Sequence, residues 1–204
     1  MKKLLLSIVL LFVLVGCTFT TVNMPPYVVM LTQSYPSIVN RCTGVLVDPT
    51  HVLTAAHCVE AVRRVITPDG WEAFVVDYQL AKHDMALLEL DRIVWVSKYA
   101  TLGQAHKGEA QIYGTCPYYW GHQARTAYYL GMVSGQLDDG EWIDFDVWDT
   151  LGDNTAVCGG DSGGVVMQDG KVVGTTSMVE SVGWFVAFGQ RFYTVPAEVA
   201  AQFK

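Results

Sequence analysis

Gly159-Gly160-Asp161-Ser162-Gly163-Gly164 sets one hydroxyl and one carboxylate inside a run of four glycines. Glycine permits backbone conformations and close approaches that a Cβ forbids. The N–H groups of Gly160 and Ser162 can then converge on one point, as an oxyanion hole requires. A serine hydroxyl is inert near neutral pH until a base takes its proton and a third group orients that base. Working outward toward the N-terminus, Thr54-Ala55-Ala56-His57-Cys58 supplies a histidine just after the apolar pair Val52-Leu53. His83-Asp84-Met85-Ala86-Leu87-Leu88 supplies an aspartate at the head of a strand-like segment. His57, Asp84 and Ser162, in that chain order, are the candidate catalytic residues. Each alone has a plain structural reading: a satisfied buried histidine, a strand-capping aspartate, a glycine turn. Together and in order they point to nucleophilic catalysis.

In these motifs the chain resembles the chymotrypsin/trypsin-like serine proteases, whose triad runs His, Asp, Ser, unlike that of subtilisins or α/β-hydrolases. The resemblance extends from about Tyr27 to the C-terminus. Pro26-Tyr27-Val28-Val29-Met30-Leu31 is similar to the family's first strand, Cys42-Thr43-Gly44-Val45-Leu46 precedes the histidine motif, and Phe192-Tyr193-Thr194-Val195 with the segment 196–203 is similar to its end. The resemblance implies an all-β fold of two packed six-stranded antiparallel barrels with a short C-terminal helix. Barrel one would cover about 27–103, barrel two about 104–195 and the helix 196–203, with the candidate site in the cleft between barrels. It also implies roles. His57 takes the Ser162 proton as general base, Asp84 fixes the imidazole tautomer, and Gly160 with Ser162 forms the oxyanion hole. Ser177, in Gly174-Thr175-Thr176-Ser177, matches the strand that supports Asp84 and receives the substrate backbone.

Composition agrees with one such domain. Removing residues 1–16 leaves 188 of 204 residues, enough for a sizeable core. Ile143-Asp144-Phe145-Asp146-Val147 alternates as a strand does, and turn signals fall at Asp48-Pro49, Pro68-Asp69-Gly70, Asp138-Asp139-Gly140 and Asp169-Gly170. No repeat, low-complexity tract or calcium loop is visible, and no cofactor is expected. Five cysteines and five histidines raise the question of zinc, but no Cys-x-x-Cys or His-x-x-x-His spacing supports a metal site.

The N-terminus reads as an export signal. Lys2-Lys3 precedes Leu4 to Val15, apolar except for Ser7 and too short to span a bilayer as a helix. Leu14-Val15-Gly16-Cys17 resembles the lipobox of bacterial lipoproteins, which implies cleavage before Cys17 and acylation of that cysteine; the alternative is an ordinary signal peptide with an incidental cysteine. Two or three acyl chains suffice for stable membrane anchoring. Residues 17–26 would then be the lipidated cysteine and tether, 27–204 a protease domain facing out of the bacterial cytoplasm, soluble and secreted if Cys17 is unmodified.

Assigning Cys17 to lipid leaves an even number of cysteines for an oxidising compartment. Within the family resemblance, Cys42 and Cys58 match the bridge beneath the histidine. Cys158 matches a cysteine whose usual downstream partner is missing, and Cys116 is left to pair with it. In the animal digestive enzymes a freshly cut N-terminal amine pairs with the aspartate before the serine, here Asp161. This chain has no Arg-Ile-Val-Gly-Gly-like activation site, so Asp161 needs another partner, because an unpaired buried carboxylate is costly. Arg125 is the candidate.

By position relative to Ser162, the resemblance makes Ala156 the floor of the primary pocket and Val179 and Gly183 its walls. With no acid at the floor and a valine at one wall, small or medium apolar side chains of a protein or peptide substrate are expected. Formal charge is −7, and −9 once Lys2 and Lys3 leave with the signal, which argues against nucleic acid and against direct attraction to anionic lipid. Asp138 to Asp153 holds seven acidic residues in sixteen, either a solvated hairpin face or a rim attracting basic substrates. Tyr118-Tyr119-Trp120 and Trp142 read as core or barrel-edge aromatics. The expected molecule is a monomeric serine endopeptidase. The rival is a catalytically silent or latent binding module on the same fold, and an esterase would use the same residues on smaller acyl substrates.

Overall fold

The computed structural model describes residues 24–33, 41–81, 83–115, 123–136, 140, 142–150, 157, 159–179 and 190–203. Cys17, Cys116, Ala156, Cys158, Gly183 and the turn at Asp138-Asp139 lie outside the described residues, as does the Val179 side chain.

Barrel one contains β1 (Val28–Thr32), β2 (Arg41–Asp48), β3 (His51–Thr54), β4 (Arg64–Ile66), β5 (Glu72–Leu80) and β6 (Ala86–Leu90). Barrel two contains β7 (Glu109–Gly114), β8 (Gln123–Gln136), β9 (Trp142–Thr150), β10 (Val165–Gln168), β11 (Lys171–Val179) and β12 (Gln190–Pro196). Around the barrels the strand orders are β1-β2-β3-β6-β5-β4 and β10-β11-β12-β9-β8-β7; both close, and every ladder pair is antiparallel. The fold is the chymotrypsin-like one implied by the motifs. The C-terminal helix is a 3-10 helix at Ala197–Gln202.

Local chemistry sets these elements. Strands such as Val28-Val29-Met30-Leu31-Thr32 are rich in β-branched residues that suit a pleated, packed surface. At Asp48-Pro49-Thr50 the Asp48 carboxylate accepts the Thr50 N–H at 2.8 Å, an Asx turn that reverses β2 into β3. Asp169 and Gly170 both take positive φ, the primed turn that closes the β10–β11 hairpin.

One apolar cluster fills barrel one with Val28, Leu31, Val45, Leu46, Leu53 and Leu88, and continues through Phe145, Val165 and Val195 of barrel two, so the barrels share a core. A smaller cluster of Ile112, Trp148, Val166 and Phe192 fills barrel two. Each such side chain contributes about 1.5–3 kcal/mol on burial. The acidic stretch is not uniformly a solvated face. Asp144 is exposed, but Asp146 is buried on the side of β9 that carries Trp148. Trp142 stands exposed at the start of β9, on the barrel edge rather than in the core.

Candidate active site

β3 and β6 are neighbours, with Thr54 opposite Ala86. His57 lies three residues past the end of β3 and Asp84 two before the start of β6, so both emerge at the same end of adjacent strands. A 3-10 helix, Ala56–Ala61, turns the imidazole back over that end, and a disulfide from Cys58 to Cys42 ties the helix to β2. His57 Nδ1 lies 2.9 and 3.1 Å from the two Asp84 carboxylate oxygens, and the His57 backbone N–H donates to Oδ1 at 2.9 Å. The Ser177 hydroxyl donates to Asp84 Oδ2 from barrel two. Ser177 reaches it because the β11–β12 register shifts between Thr176 and Met178, a bulge that re-aims the side chain there.

This geometry carries its own electrostatics. The hydrogen bond that His57 Nδ1–H donates to Asp84, reinforced by the carboxylate charge, raises the His57 pKa above the ordinary imidazole value despite partial burial. Burial pushes Asp84 upward, but the bonds from His57 and Ser177 and the imidazole charge outweigh it and hold the carboxyl below its usual value. With Nδ1 committed to Asp84, Nε2 is the nitrogen left to accept a proton.

The glycine-rich segment approaches from barrel two. Gly159–Asp161 forms a 3-10 turn, and Thr43 N donates to Ser162 O at 2.8 Å across the barrels. Gly163 N donates to Thr176 O, and Thr176 N to Gly164 O, which fastens the segment to β11 beside Ser177. Gly163 has φ near +72°, and a Cβ there would collide with Thr54 Oγ1, the Thr43 carbonyl and Ala55 N. The segment therefore packs directly on the residues that lead into His57. No hydrogen bond joins Ser162 Oγ to His57 among the described residues; without substrate such bonds are often long. Two contacts were not readable from motifs. The hydroxyls of Thr43 and Thr115 both donate to Gly160 O, at 2.9 and 3.1 Å. The only available signal was the position of Thr43 in the Cys42-Thr43-Gly44 motif; Thr115 carried none.

Asp161 meets the partner expected for it. Its carboxylate lies 2.6 Å from the Arg125 guanidinium, and both side chains are almost wholly buried. Arg125 projects from β8, and Gly114, opposite Gln123 on β7, leaves the room: a Cβ there would collide with the Asp161 carboxylate and come within 3.1 Å of Arg125 Nη2.

Residues 42–174 match the model of the trypsin-like peptidase domain. Human chymotrypsin-like elastase family member 1 is 29% identical over 220 residues, covering 87% of this chain and 84% of that protein. The active form of the Rv3671c protease from M. tuberculosis superposes with a TM-score of 0.63 at 24% identity, over 87% of this chain and 78% of that one. Kallikrein-related peptidase 10, in complex with Zn2+, gives 0.68 at 20% identity, over 87% and 92%. These two show a shared fold. The family match spans the His57, Asp84 and Ser162 motifs and most of both barrels, and the chain belongs to the trypsin-like peptidase family.

Proposed function

We propose that the protein is a serine endopeptidase, exported and lipid-anchored through Cys17 at a bacterial envelope. The observation that carries the catalytic part is the His57–Asp84–Ser177 chain bridging the two barrels beside the Ser162 segment. Ser162 Oγ attacks the scissile carbonyl while His57 Nε2 takes its proton. The resulting oxyanion is held by the N–H groups of Gly160 and Ser162. His57 then gives the proton to the leaving amine as the C–N bond breaks, and a water activated by the same imidazole hydrolyses the acyl-enzyme. Asp84 stays ionised throughout and stabilises the imidazolium.

The Arg125–Asp161 pair supports a segment that is preformed without a new N-terminal amine, so no proteolytic activation is required. For specificity, Ala156 at the floor with Val179 and Gly183 at the walls favours small or medium apolar side chains, and the relationship to an elastase-family protein agrees. Residues 1–16 act as the export signal, and Cys116 pairs with Cys158. The test is labelling of the full chain in detergent with a fluorophosphonate. Labelling of the wild type that Ser162→Ala and His57→Ala each abolish is the expected result. A folded, oxidised protein that fails to label would overturn it in favour of a binding module.

A further inference from the structure

Barrel one has two ends, and an exposed apolar row along β5, Val76, Tyr78 and Leu80, runs toward the first of them. At one end lie Thr54, Ala86 and Leu80, with His57 and Asp84 beyond them. At the other, four features meet. The chain enters β1 through Met24 to Tyr27, and Tyr27 O accepts the Leu46 N–H. Pro49 O and Thr50 O of the β2–β3 turn accept the N–H groups of Val94 and Leu90. Met30 pairs with Ile66, so Val28 reaches the level of the turn from Thr67 to Trp71. The exit from β6 closes the group, with Asp91 N bonded to Phe74 O.

Among the described residues this second end carries large exposed apolar side chains. Trp71 is 68% exposed, Trp95 75%, Ile93 53% and Phe74 50%. Single exposed apolar residues are ordinary, but four large ones around one end of a barrel mark an interaction surface. Beside them Arg64 pairs with Glu72 and Arg92 with Asp91 at 2.6 Å, while Asp69 in the Thr67–Trp71 turn is an exposed carboxylate. Protruding indoles suit the headgroup region of a bilayer, where an aromatic ring keeps its apolar body in lipid and its N–H in water.

The chain outside the described residues indicates which surface is near. Only six residues, 18–23, separate Cys17 from Met24, so the two Cα atoms stand at most about 25 Å apart. We propose that this end of barrel one docks on a lipid surface, with Trp71 and Trp95 at headgroup depth and Ile93 and Phe74 beside them. Strands of four and five residues separate the two ends, so the cleft opens about 10–17 Å farther from the bilayer, toward substrates in the aqueous compartment. The docking rests on the lipid-anchor reading for its proximity, while the surface itself belongs to barrel one.

The test uses the full, processed chain on vesicles of zwitterionic phosphatidylcholine, part of it brominated on the acyl chains. Sedimentation of the wild type beside Cys17→Ser reports the anchor. Quenching of tryptophan emission by the brominated lipid reports docking, with Trp71→Phe/Trp95→Phe removing only the reporters at this end and leaving Trp142 of barrel two as an internal control. The expected result is clear quenching in the wild type that the double variant mostly loses. Sedimenting protein without quenching would overturn the docking and leave the anchor standing. Loss of anchoring dependence on Cys17 with quenching retained would overturn the anchor alone. Quenching unchanged in the double variant would place a different face on the lipid. Protection of these tryptophans from acrylamide that rises with protein concentration without vesicles would assign the end to a second copy of the chain instead.

Discussion

Asp84 in the cleft and Asp146 inside barrel two are the same side chain in two regions, driven in opposite directions. Burial raises both carboxyls. At Asp84 it is overcome by the bonds from His57 and Ser177 together with the imidazole charge, so the pKa falls. At Asp146 burial wins: the Tyr129 hydroxyl donates at 2.9 Å, but no cation among the described residues answers and Glu198 adds like-charge repulsion, so the pKa is pushed up to about 6. Tyr129 is pushed up to about 12, by burial first and by Asp146 second. Asp161 is a third case, wholly buried yet matched by Arg125. Burial alone therefore does not decide an aspartate's charge; the number and sign of the groups aimed at it do.

The largest expected effect comes from stripping the cleft aspartate of its charge. Asp84→Asn should lower kcat/KM by about 10^4-fold near neutral pH, because the imidazole loses both its tautomer and its counter-charge. In the wild type the active base is neutral His57, whose pKa is raised, so the acid limb of kcat/KM should fall above the ordinary value of about 6.5. A limb at or below that value would mean that the His57–Asp84 contact does not persist in solution. In stability the two groups oppose each other. The raised His57 pKa stabilises the fold at low pH and that gain is lost as pH rises through it, whereas the lowered Asp84 pKa stabilises it at higher pH and is lost on acidification.

Next in size is the matched pair. Arg125→Met leaves Asp161 buried without its counter-ion and should cost about 3–5 kcal/mol in urea unfolding. Adding Asp161→Asn should recover part of that stability, since the uncompensated charge is gone. Fluorophosphonate labelling should fall in both variants, because Asp161 directly precedes Ser162. Equal stability of Arg125→Met and wild type would show that the pair is dispensable to the fold.

The smallest effect belongs to Asp146. Its folded-state pKa of about 6 lies above the unfolded value, so the native state holds the proton more tightly. The stabilisation is present below the unfolded pKa, near 3.9, and is lost as pH rises through about 6. Asp146→Asn should therefore raise Tm by a few degrees above neutral pH and leave it little changed at about pH 3, below the unfolded pKa. A thermal scan at the two pH values decides it, and equal shifts at both would mean that the cost is steric rather than electrostatic.

How much of this was legible in advance differs by residue. The motifs around His57, Asp84 and Ser162 announced the candidate site, and their His, Asp, Ser order, which differs between unrelated folds, carried the family resemblance that implied the fold. Ser177 was readable only through family resemblance, and Arg125 only as a substitute where the chain departs from the family, since each acts on a carboxylate distant in the chain. Thr43 offered only its place in the Cys42-Thr43-Gly44 motif and Thr115 no signal: their shared grip on Gly160 exists only once β2 and the end of β7 lie side by side. Asp146 was misleading, because an acidic stretch reads as solvated until the register of β9 turns one member inward.

Local order along the chain determined the turns, the alternation of β9 and the motifs that carry the family resemblance, and through that resemblance the barrels and the disulfide beneath His57, for motifs and turns are a few residues long. Tertiary structure decided which carboxylates are matched, which hydroxyls latch the Ser162 segment, and that Trp71 and Trp95 gather beside the chain entry. Those outcomes depend on strand register and barrel closure, which place residues tens of positions apart within a few ångströms of one another, and no local pattern encodes such a distance.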